Sequence, residues 1–327
     1  MFDVITIGSA TRDVFVKCSA LDLQESEVGS HVLEACFPLG AKIDIDELVF
    51  ETGGGATNVA TTLAHLGFKT ATICSIGDDF NGREVIETLT TDGIATGYVQ
   101  QTTTSKTGYS IIIVAGSGER TVLVYRGAAK LTNAAAVPWK KIVTRWFYLT
   151  SVGGNLDLLE RALTHAENNQ IKIAWNPGNS ELKLGLSVLE PLIKKVDVLN
   201  LNREEAALLT GLAVDDLTGI TEKLSNLPKR SLVITDGSKG AYTVEADGSR
   251  WQVETFDVPR INVTGAGDAF GSGFIAGLMQ KNDVRYGLAV GLWNSAGCIQ
   301  EVGAKRGLLE NFPSEEQISK VIINPWK

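Results

Sequence analysis

Cysteine is scarce: four residues, Cys18, Cys36, Cys74 and Cys298, stand in a chain of 327, with no pair at metal-ligand spacing. That distribution argues against a disulfide framework or a zinc ribbon and suits reduced core thiols in a cytoplasmic protein. Positive charge is in deficit too. Lys and Arg number 30 against 38 acidic residues, a net charge of −8, and no basic run occurs, which argues against nucleic acid as the main partner. No uninterrupted apolar stretch is long enough to cross a membrane, and the N-terminus enters a strand with no charged leader before it. Internal repeats and low-complexity linkers are absent. So is the P-loop pattern Gly-x-x-x-x-Gly-Lys-Ser/Thr. Gly265-Ala266-Gly267 does not complete a dinucleotide fingerprint, because Phe270 stands where that pattern needs a small residue and the first strand is far away.

What is present is a large apolar fraction, 44%, enough for the core of one α/β domain over residues 1–327. Strands and helices alternate from Phe2-Asp3-Val4-Ile5-Thr6-Ile7 onward, which implies a mostly parallel sheet covered on both faces. Two segments, about 14–50 and 107–126, break the alternation with strands alone. Their candidate strands are Val14–Val16, His31–Leu33 and Glu47–Phe50 in the first, and Tyr109–Val114 and Arg120–Tyr125 in the second. Together they predict one small accessory sheet.

The densest signal lies in Asn262-Val263-Thr264-Gly265-Ala266-Gly267-Asp268-Ala269-Phe270 and its continuation to Leu278. Phe270, Phe274 and Leu278 recur at helical spacing, and Ala269, Gly273 and Gly277 form a parallel stripe of small residues for close helix packing. Gly265 to Gly267 form a turn into that helix, and a glycine-rich helix start is an anion site. A carboxylate there repels a phosphate unless it takes the proton of the attacking group. Asp268 is therefore either a base or a plain helix N-cap. Other polar loops follow the strands: Asp13, Gly54 to Asn58, Asn202 to Glu205 and Thr235 to Gly240. Singly, each has a structural alternative; Asn202 with Glu205 makes a good capping box.

In order, these motifs resemble the ribokinase-type (PfkB) carbohydrate kinases. The resemblance runs from Gly8–Asp13 through Gly53-Gly54-x-x-x-Asn58, Ile76–Gly82, Asn202-x-x-Glu205, Thr235-x-Gly237-x-x-Gly240 and Thr264–Phe270 to Val302-Gly303-Ala304. It implies a ribokinase-like three-layer α/β/α sandwich with a mostly parallel central sheet and a β-sheet lid. It implies transfer of the γ-phosphoryl group of ATP to a sugar hydroxyl, with Asp268 as base and the Gly265, Ala266 and Gly267 amides as anion hole. Asn202 and Glu205 would order the water shell of Mg²⁺, which has no direct protein ligand. Thr235, Gly237 and Gly240 would line the nucleotide site, with Asn294 a further candidate or an interhelical hydrogen bond. Asp13, Gly54, Gly55 and Asn58 would meet the sugar. A homodimer through the lid is implied as well. Asn262 replaces an acidic residue that helps hold a monovalent cation in such proteins, so potassium activation is not expected. Thr11 and Gly55 also depart from ribokinase itself. A nucleoside acceptor would need a base slot from Phe15, Phe37, Tyr109 or Tyr125. A phosphosugar acceptor would need cations from Arg12, Arg120 or Arg126. A non-catalytic sugar-binding regulator would have no need of Asp268.

Overall fold

The computed structural model describes residues 1–18, 22–25, 33–115 and 120–326. Its body is a nine-stranded sheet in the spatial order Ile323–Pro325, Arg250–Val253, Ala241–Glu245, Ser231–Thr235, Val198–Asn202, Lys172–Trp175, Thr144–Leu149, Phe2–Ile7, Thr70–Ile73. The strands from Thr70–Ile73 to Ser231–Thr235 run parallel, and the remaining three continue antiparallel. The parallel strands are apolar on both faces because helices cover both. Ile5, Ile7, Phe147 and Leu149 pack against the helices Leu156–Asn169, Leu186–Ile193, Arg203–Thr210 and Leu217–Leu224. Val4, Trp146 and Tyr148, offset by one residue, point to the other face and the helices Gly55–His65, Ala266–Lys281 and Val284–Cys298. These are the three layers that the sequence predicts.

The stripe of small residues has a partner. A Cβ on Gly273 would lie 2.9 Å from the Gly291 Cα, and one on Gly277 would lie 2.8 Å from the Gly287 Cα. The helices Ala266–Lys281 and Val284–Cys298 therefore touch backbone to backbone, which fixes the start of the first of them against the sheet.

The lid is a four-stranded sheet in the order Arg120–Tyr125, Gly108–Ala115, Thr11–Cys18, Glu47–Gly53. A separate hairpin pairs Asp22–Glu25 with Leu33–Cys36; His31 and Val32, read as part of a lid strand, lie outside the described residues. The lid begins at Thr11, earlier than residue 14, so Asp13 is part of a lid strand rather than of a loop. Alternation then divides that strand: Asp13 shares a face with Ser110, and Val14 shares the opposite face with Phe50 and Ile111. On the latter face Leu48, Phe50, Leu123 and Tyr125 are 46–53% exposed.

Candidate active site

The chain leaves Phe2–Ile7 toward Thr70–Ile73 on one side and returns at Thr144–Leu149 on the other. The sheet thus changes direction at its first strand, where ligands of open α/β sheets bind beyond the strand C-termini. The lid stands over that edge.

Gly265 caps the helix Ala266–Lys281 in the left-handed conformation, with φ 83°. A Cβ there would come within 2.6 Å of the Ala304 Cβ, so both conformation and space require glycine. The Ala266 N–H donates to the Val263 carbonyl at 3.3 Å. The Gly267 and Asp268 N–H groups belong to the first turn, where a helix supplies no carbonyl, and the space beside Gly267 is open. Asp268 is the third residue of this helix and not its N-cap, which corrects the plain capping alternative.

The Asn58 Nδ2 donates to Asp268 Oδ2 at 2.9 Å. Burial, and next the charge of Asp13, hold the Asp268 carboxyl above its ordinary value; Asn58 and the Lys305 ammonium oppose them. A carboxyl raised in this way is better matched to accepting a proton near neutral pH. Asp13 is also raised, chiefly by burial, against hydrogen bonds from Ser110 and Thr11; the Thr11 hydroxyl donates to its Oδ1 at 2.9 Å. Gly53 lies flat against this carboxylate, since a Cβ there would sit 1.9 Å from Asp13 Oδ2.

Asp13, Gly54, Gly55, Asn58 and Asp268 line one cavity of about 250 Å³. Gly54 turns the chain into the helix Gly55–His65 at φ 93°, and the Gly55 N–H donates to Ser9 Oγ at 3.2 Å. The Asn58 Oδ1 is buried without a protein partner. Such an atom costs free energy unless a ligand hydroxyl or water meets it. Among the described residues lining this cavity none is aromatic. Phe15 lines a different cavity, with Lys17 and Arg260, and Tyr109 and Tyr125 are paired across the lid on the face of Arg12, opposite Asp13.

Asp268 and Gly265 also line a second, wider cleft of about 680 Å³, with Asn202, Glu205, Thr235 and Gly237. Asn202 and Glu205 do form the capping box: Glu205 N–H to Asn202 Oδ1 is 2.7 Å and Asn202 N–H to Glu205 Oε2 is 2.9 Å. The cap and the cleft wall are one structure. Burial, and then the charges of Asp268 and Glu204, raise the Glu205 carboxyl. Beyond Gly267, a smaller cavity of about 110 Å³ is lined by Thr235, Gly237, Gly240, Thr255, Phe270 and Leu292. At Gly240, with φ 89°, a Cβ would fall 1.8 Å from the Val253 carbonyl oxygen, so this glycine is fixed by strand packing.

Asn294 does not join the site. It is fully buried, its Nδ2 donates to the Ala269 carbonyl at 2.7 Å, and its Oδ1 accepts from the Leu309 N–H at 2.8 Å. The interhelical hydrogen bond describes it. Sequence reasoning passed over Lys305, whose Nζ donates to Thr52 Oγ1 at 2.7 Å, and Asn200 and Lys239 in the wide cleft. The only signal available was their position beside motifs.

Comparison with known proteins follows the same lines. The model of the pfkB family carbohydrate kinases matches residues 24–311. The Haemophilus influenzae ribokinase is 27% identical over 261 residues, 78% of this chain and 83% of the relative. An Arabidopsis thaliana ribokinase solved with ribose and ATP superposes with TM-score 0.73 at 17% identity, over 98% of each chain. An E. coli protein solved with ATP and Mg²⁺ superposes with TM-score 0.77 at 19% identity, over 94% of this chain and 96% of its own.

Proposed function

The chain belongs to the pfkB family of carbohydrate kinases and is a phosphotransferase acting on a sugar hydroxyl; on that premise we propose that Asp268 is its general base, with ATP as donor. The observation that carries this reading is the place of Asp268 at the junction of the two cavities. A sugar in the smaller one and a triphosphate in the wider one would present hydroxyl and γ-phosphorus to each other beside this carboxylate. Asp268 takes the hydroxyl proton on the oxygen that Asn58 leaves free. The sugar oxygen forms a bond to the γ-phosphorus as the bond to the bridging oxygen breaks, and ADP departs with that electron pair. The Gly267 and Asp268 amides, fixed by the Gly265 turn, stabilise the charge on the transferring oxygens, with Gly265 itself allowing the close approach. Asp13 and the Asn58 Oδ1 orient the sugar, and Thr235, Gly237 and Gly240 shape the nucleotide site.

The donor set suits Mg²⁺. The oxygen-bearing side chains Asn202, Glu204 and Glu205 line the wide cleft, while no group of three or more His, Cys, Asp or Glu among the described residues could hold a bare metal. An ion that keeps most of its waters and rests on substrate phosphates fits such a wall. When bound, it would neutralise phosphate charge.

A sugar is favoured over a nucleoside because none of the described residues lining the acceptor cavity is aromatic. We further propose that the chain acts as one unit with a closing lid, that it dimerises through the exposed lid face of Leu48, Phe50, Leu123 and Tyr125, and that it works in the cytoplasm, in keeping with four unpaired cysteines. The central test is Asp268→Asn. It should lower kcat about 10²–10⁴-fold with ATP affinity kept. Near-normal turnover would remove Asp268 as base, and absence of any phosphoryl transfer by the wild type would leave the sugar-binding regulator.

A further inference from the structure

The three lid arginines have separate fates. Arg12 lies on the outer lid face, paired with Glu84 at 3.5 Å and 5.6 Å from the Phe50 ring centroid. Arg120 lines the wide cleft. Arg126 lines the acceptor cavity, and Lys130, at the end of the turn Gly127–Lys130, lines it with Arg126.

Among the described residues these two cations have no acidic partner. Among the described residues, no carboxylate lies within ion-pair distance of either. The cationic charges that bear on Asp13 are Lys305 and Arg12, and the one that bears on Asp268 is Lys305. The cavity thus holds Asp13, Asn58 and Asp268 together with two cations that lack an ion-pair partner among the described residues. Both cations are exposed while the cavity is open to water. Closing the lid over a neutral sugar would strip water from them without giving a partner, which is costly. An anionic group on the sugar would give Arg126 a planar, charge-assisted pair and Lys130 a second contact.

We propose that the acceptor is an anionic sugar, carrying a carboxylate or phosphate remote from the hydroxyl that receives the phosphoryl group, and that Arg126 and Lys130 bind that acid group. This rests on the sugar-kinase reading and narrows it.

The test is kcat/KM by ADP release for ribose and fructose, for gluconate as a sugar acid, and for ribose 1-phosphate, ribose 5-phosphate and fructose 6-phosphate. At least one anionic sugar should exceed both neutral ones by tenfold or more, and the acid and phosphate arms separate the two sources of charge. Arg126→Gln and Lys130→Gln should each cut the anionic-over-neutral ratio by about tenfold, mainly through KM, with Arg126→Lys intermediate. Raising ionic strength should lower kcat/KM for the anionic sugar only. A neutral sugar turned over faster than every anionic one overturns the inference and leaves the sugar-kinase reading standing. A loss shared equally by both sugar classes in the variants marks a structural defect and overturns it also. If no compound of either kind is phosphorylated, both readings fall.

Discussion

Replacing Lys305 by methionine tests the electrostatics beneath the acceptor cavity. Lys305 is half-buried, and burial brings its pKa from 10.5 down to about 8, although Asp92, Asp13, Glu51 and Cys74 all act to raise it. At pH 7 it is still largely charged, so the folded protein carries the cost of a half-buried cation. The unfolded chain keeps the proton to about pH 10.5, whereas the folded chain loses it near 8. Between those values the unfolded state binds more protons, so stability must rise with pH, by about 1.4 kcal/mol per pH unit and at most about 3 kcal/mol in all. Lys305→Met lacks this group. Urea unfolding of both proteins at pH 8, 9 and 10 should show the wild type gaining on the variant across the series, with equal m-values. A difference constant to within about 0.5 kcal/mol over that range would refute the argument. Function offers a second reading. Lys305 opposes the rise in the carboxyl pKa of both Asp13 and Asp268. Without that opposing charge both carboxyls should rise further, so Lys305→Met should shift the acidic limb of the kcat/KM profile to higher pH.

Asp13→Ala and Asn58→Ala should each raise the sugar KM, by about 1–3 kcal/mol in binding, with ATP affinity largely kept. Hydrogen exchange in the strands Thr11–Cys18 and Gly108–Ala115 should slow when sugar is added; normal sugar binding by both variants, or unchanged exchange, would move the acceptor site elsewhere. Potassium should change activity less than severalfold at constant ionic strength. Asn262 is buried, its Oδ1 is taken by the Thr264 N–H at 2.7 Å, and its remaining polar group is the Nδ2 donor, which cannot ligate a cation. A selective, saturable potassium response would contradict this.

Much of this site could be read from sequence because backbone geometry dictates its residues. Gly265 and Gly240 both sit in the left-handed region and press against neighbouring main chain or a methyl group, so no other residue serves there. Glycines of that kind leave a mark that survives without knowledge of the fold. Long side chains leave none. Lys305, Arg126 and Lys130 reach their places through several free torsions, and only the tertiary arrangement decides that the first ends on Thr52 Oγ1 and the others line the acceptor cavity. The same limit applies to Thr70–Ile73 and Ser75–Gly77, two strands one residue apart. Both are buried throughout, so no period separates them, and only pairing reveals that Ser75–Gly77 leaves the main sheet for Gln100–Thr102. The edge strand Ile323–Pro325 and the short helices Asn179–Leu182 and Leu217–Leu224 carry too few residues for a period to show. Asn294 illustrates the converse: the resemblance offers it to the cleft or to an interhelical hydrogen bond, and close contact of the glycine-striped helices draws its amide inward to the Ala269 carbonyl. A polar residue near a site is claimed by whichever backbone group lies within its reach, and that is a property of packing.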